Sequence, residues 1–229
     1  DLNILSSPKK RFFIQLFLIF LFVFFEKLQV LPTRINIIDK ILLDTNWSYF
    51  FTIFCLLILM NGSNFIDGLN GLLLGYVSII LFIIFKLDLF VYLEIEDINI
   101  LFLLYAFLLI LFLNFLNQLF LGDSGAYFLS FFVGYVLIKI YNFNVNISPY
   151  FIILLLWYPC YENLFSIIRK LIKKKSPLNP DNEHLHQYLY TFIKTKFYFG
   201  NLKSNIISSL IINFLNFVFL YIGSTNPND

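Results

Sequence analysis

Long apolar runs with almost no charge recur along this chain, among them IQLFLIFLFVFF from residue 14, LFLLYAFLLILFL from residue 101 and IISSLIINFLNFVFLYI from residue 206. A helix of about 20 apolar residues crosses the roughly 30 Å hydrocarbon layer of a bilayer. With 59% hydrophobic and only 13% charged residues, the chain cannot coat a soluble domain. The runs are continuous rather than alternating, which favours helices over a barrel. The expected fold is therefore an all-α integral membrane protein, a single polytopic domain over residues 1–229. Seven transmembrane helices are predicted near 12–31, 46–61, 69–86, 98–119, 125–141, 149–168 and 203–222. The first is the least regular, because Glu26 and Lys27 fall late in it and Pro32 ends it. The segment KLQVLPTRINII has a second reading, as a short hairpin outside the membrane.

The net charge of +2 carries little information, and no nucleic-acid partner is expected, but the distribution of cations is informative. Eleven lysines and arginines fall on one side of the predicted topology: Lys9, Lys10, Arg11, Arg169, Lys170, Lys173, Lys174, Lys175, Lys194, Lys196 and Lys203. Five fall on the other: Lys27, Arg34, Lys40, Lys86 and Lys139. The richer side is expected to be cytoplasmic, including a loop over about 169–203. Cys55 and Cys160 lie in apolar spans away from any metal-ligand spacing and read as small packed side chains. The chain starts at Asp1 without Met and its only Met is Met60, so a truncated product is expected.

Three polar clusters interrupt the apolar pattern: NGSNFIDGLNG at 61–71, LGDSG at 121–125 and NPDNEHLHQ at 179–187. The topology puts all three at cytoplasmic helix ends. Ionisable groups at such depths are functional candidates, because burying charge in lipid costs several kcal/mol. Asn61, Asn64, Asp67 and Asn70 recur every three residues, which on a helix gathers them on one broad face suited to a metal, phosphate or nucleoside. A polar helix terminus with a cap accounts for them equally well. Gly68 and Gly71 allow close approach of a helix or a substrate. Asp123, between glycines, is either an oxygen ligand for Mg²⁺ or an N-cap for the helix beginning near Ala126. His184 and His186 are the only histidines; imidazoles beside Lys173, Lys174 and Lys175 suit a diphosphate, while an ordinary solvated loop is the other reading and the lysines read first as topology charges.

The order Asp-Gly, Gly-Asp-Ser-Gly, His-Leu-His resembles the polyprenyl-phosphate N-acetylhexosamine-1-phosphate transferases, glycosyltransferase family 4. The resemblance rests on Asn61, Asn64, Asp67 and Gly68, on Gly122, Asp123, Ser124 and Gly125, and on His184 and His186. Pro159, Glu162 and Arg169 are similar to a Pro-x-x-acid segment before a basic helix end, with Glu where the family often has Asp. Asn70 stands where many members carry a second Asp, and Gln187 where many carry a third His. DLNILSSPKKRFF resembles the stretch after the family's Asp-Asp pair, which makes Asp1 its second Asp and the seven helices the last seven of about ten.

The resemblance implies attack of undecaprenyl phosphate on the β-phosphorus of a UDP-N-acetylhexosamine, with UMP released. Asn64 and Asp123 are implied to hold Mg²⁺, or Mn²⁺ in its place. Asp67 is implied to hold the nucleotide or organise the metal shell, Asn61 to bind substrate, and His184 and His186 to contact the diphosphate or sugar. Asp1, Asp67 and Asp123 are the implied catalytic carboxylates, Asp1 acting on the lipid phosphate. The expected setting is the bacterial cytoplasmic membrane, in cell-envelope polysaccharide synthesis, with a homodimer as a further expectation. A noncatalytic membrane subunit and a transporter are the alternatives; polar groups at one face rather than at the midplane favour the enzyme.

Overall fold

The structure, a computed structural model, describes residues 7–30, 32–43, 45–93, 97–144, 146–174 and 183–228. It is helical, and no strand occurs among the described residues. The helices are α1 (Pro8–Phe25), α2 (Asn36–Leu42), α3 (Thr45–Ile66), α4 (Leu72–Lys86), α5 (Asp97–Phe115), α6 (Gly122–Phe143), α7 (Pro149–Leu155), α8 (Trp157–Ile172), α9 (Leu185–Phe197) and α10 (Asn201–Gly223), with a 3₁₀ segment at Leu89–Leu93. Among the described residues, α3, α6 and α10 are long and apolar enough to cross a membrane, and α7 with α8 passes as one broken span. The apolar helices α4 and α5 are shorter in their described part.

Packing divides these helices into a buried centre and a lipid-facing ring. Ten residues of α4 are buried, from Leu72 to Ile84, and they pack with Leu137 and Ile140 of α6, Leu155 and Tyr158. A second cluster joins Ile19 and Val23 of α1 to Ile53, Leu56 and Met60 of α3 and Ile138 of α6. Large apolar side chains stand exposed on the outer helices, including Phe17, Phe102, Leu109, Phe214 and Phe219. Apolar surface of that extent is stable against hydrocarbon and not against water. The protein is an all-α integral membrane protein.

The predicted spans all have helical counterparts, and four details differ. The segment after α1 forms no hairpin among its described residues; the short helix α2 begins at Asn36. The helix predicted to end at residue 61 runs on to Ile66, carrying the first polar cluster. The loop expected over 169–203 contains α9, an amphipathic helix with Ile193 and His186 on its buried side.

The span predicted to be continuous over 149–168 is broken at Leu156, where α7 and α8 meet at 76°. Pro159 causes the break: it has no N–H for the carbonyl of Leu155, four residues back, and its ring crowds that carbonyl. Tyr76 of α4 donates its hydroxyl to the freed Leu155 oxygen at 2.9 Å. Within α8 the same proline sits in the first turn, where the missing donor costs little. The bend redirects α8 across α3, and Gly62 makes the crossing close. A Cβ on Gly62 would lie 1.9 Å from the Pro159 carbonyl oxygen, and Asn163 Nδ2 donates to Ile58 O at 3.0 Å.

A candidate active site at the end of helix α3

The end of α3 is where the candidate residues converge. Asn61, Asn64 and Asp67 share its register, since Asp67 N still donates to Ser63 O at 3.1 Å one residue beyond the helix. All three are half-buried. Asn61 turns its amide back to Leu57 O at 2.8 Å. Asn70, expected on the same face, is elsewhere, because the helix has ended and the chain turns. Gly71 holds φ +77° as α4 begins, and a Cβ there would run into the Phe115 ring.

Asn70 belongs instead to an asparagine network under that turn. Its Nδ2 donates to Asn114 O (3.1 Å) and Asn117 Oδ1 (3.0 Å), while Asn205 Oδ1 accepts its backbone N–H at 2.6 Å. Asn114 Oδ1 accepts the Gly71 N–H, and Asn213 Nδ2 donates to Gly71 O at 2.9 Å. These amides tie the turn to α5 and α10. Polar groups buried in an apolar bundle are stable only when paired in this way.

One flank of the site is acidic. Asp123 lies in the first turn of α6 and is not its cap, since the helix already begins at Gly122. Its carboxylate pairs with Arg11 of α1, both side chains being substantially exposed. Asp67 is close enough to feel Asp123: burial first, and the neighbouring Asp123 charge second, push its carboxyl up to about 7. The end of α3 and the start of α6, distant in sequence, therefore bring two carboxyl groups near enough to interact.

The other flank is built of histidines and is closed. Glu162 of α8 is 1% exposed, His184 3% and His186 0%. Glu162 Oε2 lies 2.9 Å from His184 Nδ1, and Oε1 accepts the Leu185 N–H at 3.1 Å, at the first turn of α9. His184 lies between the Phe65 ring (centroids 5.0 Å) and His186 (5.5 Å, 10° apart). Both ring nitrogens of His186 are buried and without a hydrogen-bond partner among the described residues. A Cβ on Gly68 would lie 3.0 Å from His186 Nε2, so the glycine after Asp67 admits this ring. Burial, reinforced by His184 and opposed by Glu162, lowers the His186 imidazole to about 4.

Of the remaining candidates, Gln187 serves structure: its Oε1 accepts the His184 N–H at 3.2 Å. Lys173 donates to Glu183 (2.7 Å to Oε1), with Arg169 Nε 3.4 Å from Glu183 Oε2. Asp1 and Lys175 lie outside the described residues. Sequence reasoning missed Arg11 as the partner of Asp123, having counted it only as a topology charge. The signal was present in its place just before the first apolar run, at the same membrane end as the clusters.

The donors on the acidic flank are carboxylate and amide oxygens, the hard ligands that suit Mg²⁺ or Mn²⁺. Among the described residues no three His, Cys, Asp or Glu side chains form a metal cage. Mg²⁺ commonly takes only one or two carboxylates and completes its shell with water and substrate phosphates. A cation between Asp67 and Asp123 would also offset the smaller part of the Asp67 shift, the part that comes from the Asp123 charge. The donor set fits such an ion.

The structure thus gathers carboxyl groups and histidines from three regions of the chain around the end of α3. The chain belongs to glycosyl transferase family 4, whose family model matches residues 1–141. It is 30% identical over 176 residues to an undecaprenyl-phosphate alpha-N-acetylglucosaminyl 1-phosphate transferase of Thermotoga maritima, covering 72% of this chain and 52% of that protein. It is 28% identical over 185 residues to a probable undecaprenyl-phosphate N-acetylglucosaminyl 1-phosphate transferase of Bacillus subtilis, covering 77% and 48%. The chain thus spans about half the length of the curated relatives it matches. No solved structure matches it.

Proposed function

We propose that this protein transfers an N-acetylhexosamine 1-phosphate from a UDP-sugar to undecaprenyl phosphate, releasing UMP, at the cytoplasmic face of a bacterial inner membrane. The observation that carries the reading is the packing of His186 against Gly68, next to Asp67, with the His184 and Glu162 pair behind it. A phosphoryl transfer between two polyanions needs positioning and charge neutralisation more than covalent catalysis. Asp123 and Asn64 would hold Mg²⁺ or Mn²⁺, with Asp67 beside them. When bound, that ion would neutralise and orient the phosphates.

The chain's own residues supply the rest. Arg11, already paired with Asp123, offers a guanidinium to a phosphate oxygen. Asn61 of α3, whose amide oxygen is left by its bond to Leu57 O, and Asp67, one residue beyond the helix, would offer an acceptor and a carboxyl to the nucleotide. Burial lowers the His186 imidazole to about 4, and its two ring nitrogens have no partner among the described residues, a pairing that the sugar or diphosphate would supply on reaching them. The lipid-facing ring keeps the site where the acceptor's tail already resides.

The test is transfer in membranes containing the protein, given undecaprenyl phosphate and a panel of radiolabelled UDP-sugars, with Mg²⁺ or excess chelator. Lipid-phase label with equimolar UMP, abolished by chelator, is the expected result and names the sugar. No transfer from any donor by folded protein overturns the reading and leaves a noncatalytic role.

A further inference from the structure

Glu162 uses both of its oxygens, and no role in transfer follows from the acidic flank for it. One oxygen binds the Leu185 N–H (3.1 Å) and the other faces His184 Nδ1 (2.9 Å), in a place only 1% exposed. The first of these satisfies an otherwise orphaned donor at the start of α9 and puts negative charge at that helix N-terminus. The second orients an imidazole. A carboxylate only accepts, so in the neutral ring the nitrogen facing it carries the proton and the other nitrogen is bare.

We propose that Glu162 is a positioning residue: it locks His184 in the Nδ1–H tautomer and pins α9, so that His186 is held against Gly68 next to Asp67. The contacts form a continuous chain. His184 stacks on His186 at 5.5 Å, and His186 Nε2 abuts Gly68, where a Cβ would lie 3.0 Å away. Phe65, three residues before Gly68, covers His184 from α3, with centroids 5.0 Å apart. Gln187 accepts the His184 N–H at 3.2 Å, which fixes the backbone on which the ring is mounted. In that tautomer His184 Nε2 is an acceptor.

The contribution to transfer rests on the proposed function, whereas the tautomer does not. Glu162→Gln separates the two with little change in shape. The amide has one acceptor oxygen, and the Leu185 N–H, which cannot change its role, retains it. The amide NH₂ then donates to Nδ1 and drives the proton to Nε2. Protein in lipid nanodiscs, labelled with ¹⁵N-histidine and held at pH 8, reports each ring nitrogen as protonated or bare; the His186→Gln spectrum assigns the signals.

The expected result is Nδ1–H on His184 in the wild type and Nε2–H in Glu162→Gln. In the transfer assay kcat should fall about 10–100-fold, as for other residues that orient a functional histidine. KM for the UDP-sugar should change far less, and Glu162→Asp should restore part of kcat. Nε2–H in the wild type overturns the proposal, as does an unchanged tautomer in the variant or a reversed tautomer with undiminished kcat. Should Glu162→Gln fail to fold, the wild-type spectrum alone decides the tautomer, and Glu162→Asp kinetics decide the role. Nδ1–H on His184 in a protein without transfer activity would sink the transferase reading while leaving the tautomer assignment intact.

Discussion

The two flanks of the site are built on opposite principles. The acidic flank is open: Arg11 and Asp123 retain 34% and 49% of their side-chain exposure. The Asp123 charge disfavours a second charge on Asp67, and on the proposed function an arriving cation would complete the arrangement. The histidine flank is dry, with every ring buried and stacked and Glu162 clasping both a side chain and a helix start. Charged ligands that must enter and leave call for a solvated, adjustable surface. Groups that must meet a substrate at one angle call for a rigid one. On the proposed function, one flank should therefore answer mainly for activity and the other for activity and stability together.

The sharpest break of this contrast is Asp123→Asn, which should lower transfer on the order of 10²–10³-fold, the range for removing one strong electrostatic contact to a transition state. The half-exposed pair it dissolves is worth no more than about 1 kcal/mol, so unfolding in detergent should hardly move. Radiolabel transfer and thermal unfolding, measured on the same preparation, check both halves of the statement. Loss of fold in this variant would show that the acidic flank is structural after all.

Gly62→Ala attacks the crossing that brings the two flanks together. Its Cβ would meet the backbone oxygen of Pro159 at 1.9 Å, and backbone cannot rotate away as a side chain can. Destabilisation of about 1–3 kcal/mol is expected from such overpacking. Because α8 carries Glu162, the variant should also disturb the His184 ring signals while leaving the Arg11 to Asp123 pair in place. Unfolding midpoints and the ¹⁵N-histidine spectrum measure the two effects.

The two flanks also differ in how much of them was legible in the sequence. Asp67 and Asp123 could be read because carboxylates at the ends of apolar runs stand out against hydropathy. Asn64 and Asn61 followed from a spacing of three. The closed flank was only half legible. His184 and His186 were visible as the chain's only histidines, but Glu162 becomes their partner through a 76° bend that a hydropathy window does not register, both limbs being apolar. Pro159 was the available signal. The helix α9 was hidden because an amphipathic segment with lysines averages to a loop, although Leu185, Leu189, Phe192 and Ile193 keep a helical spacing. Asn70 deceived through the period of three it shares with Asn61 and Asn64, since periodicity carries no mark of where a helix stops.

The smallest expected effect is also the most direct comparison, because the flanks should respond to pH in opposite directions. The Asp67 carboxyl is raised from 3.8 to about 7 on folding, so the folded state holds its proton more tightly than the unfolded chain. Its contribution to stability is full below 3.8 and is lost as pH rises through about 7. His186 is lowered from 6.5 to about 4, so the unfolded chain takes up its proton first on acidification. Its contribution is full above 6.5 and is lost as pH falls toward about 4. Between those limits the two partly cancel in the wild type. Removing one should expose the other: Asp67→Asn should lose stability more steeply than wild type as pH falls from about 7 to about 4, and His186→Gln should lose less or gain. Thermal midpoints of the three proteins across that window, in chelator to keep divalent ions from Asp67, measure the divergence. Parallel curves would mean that the ligand-free site does not set its two flanks against each other electrostatically. Diverging curves that converge when Mg²⁺ is restored would show that a cation removes the Asp67 penalty, the role the open flank is proposed to have.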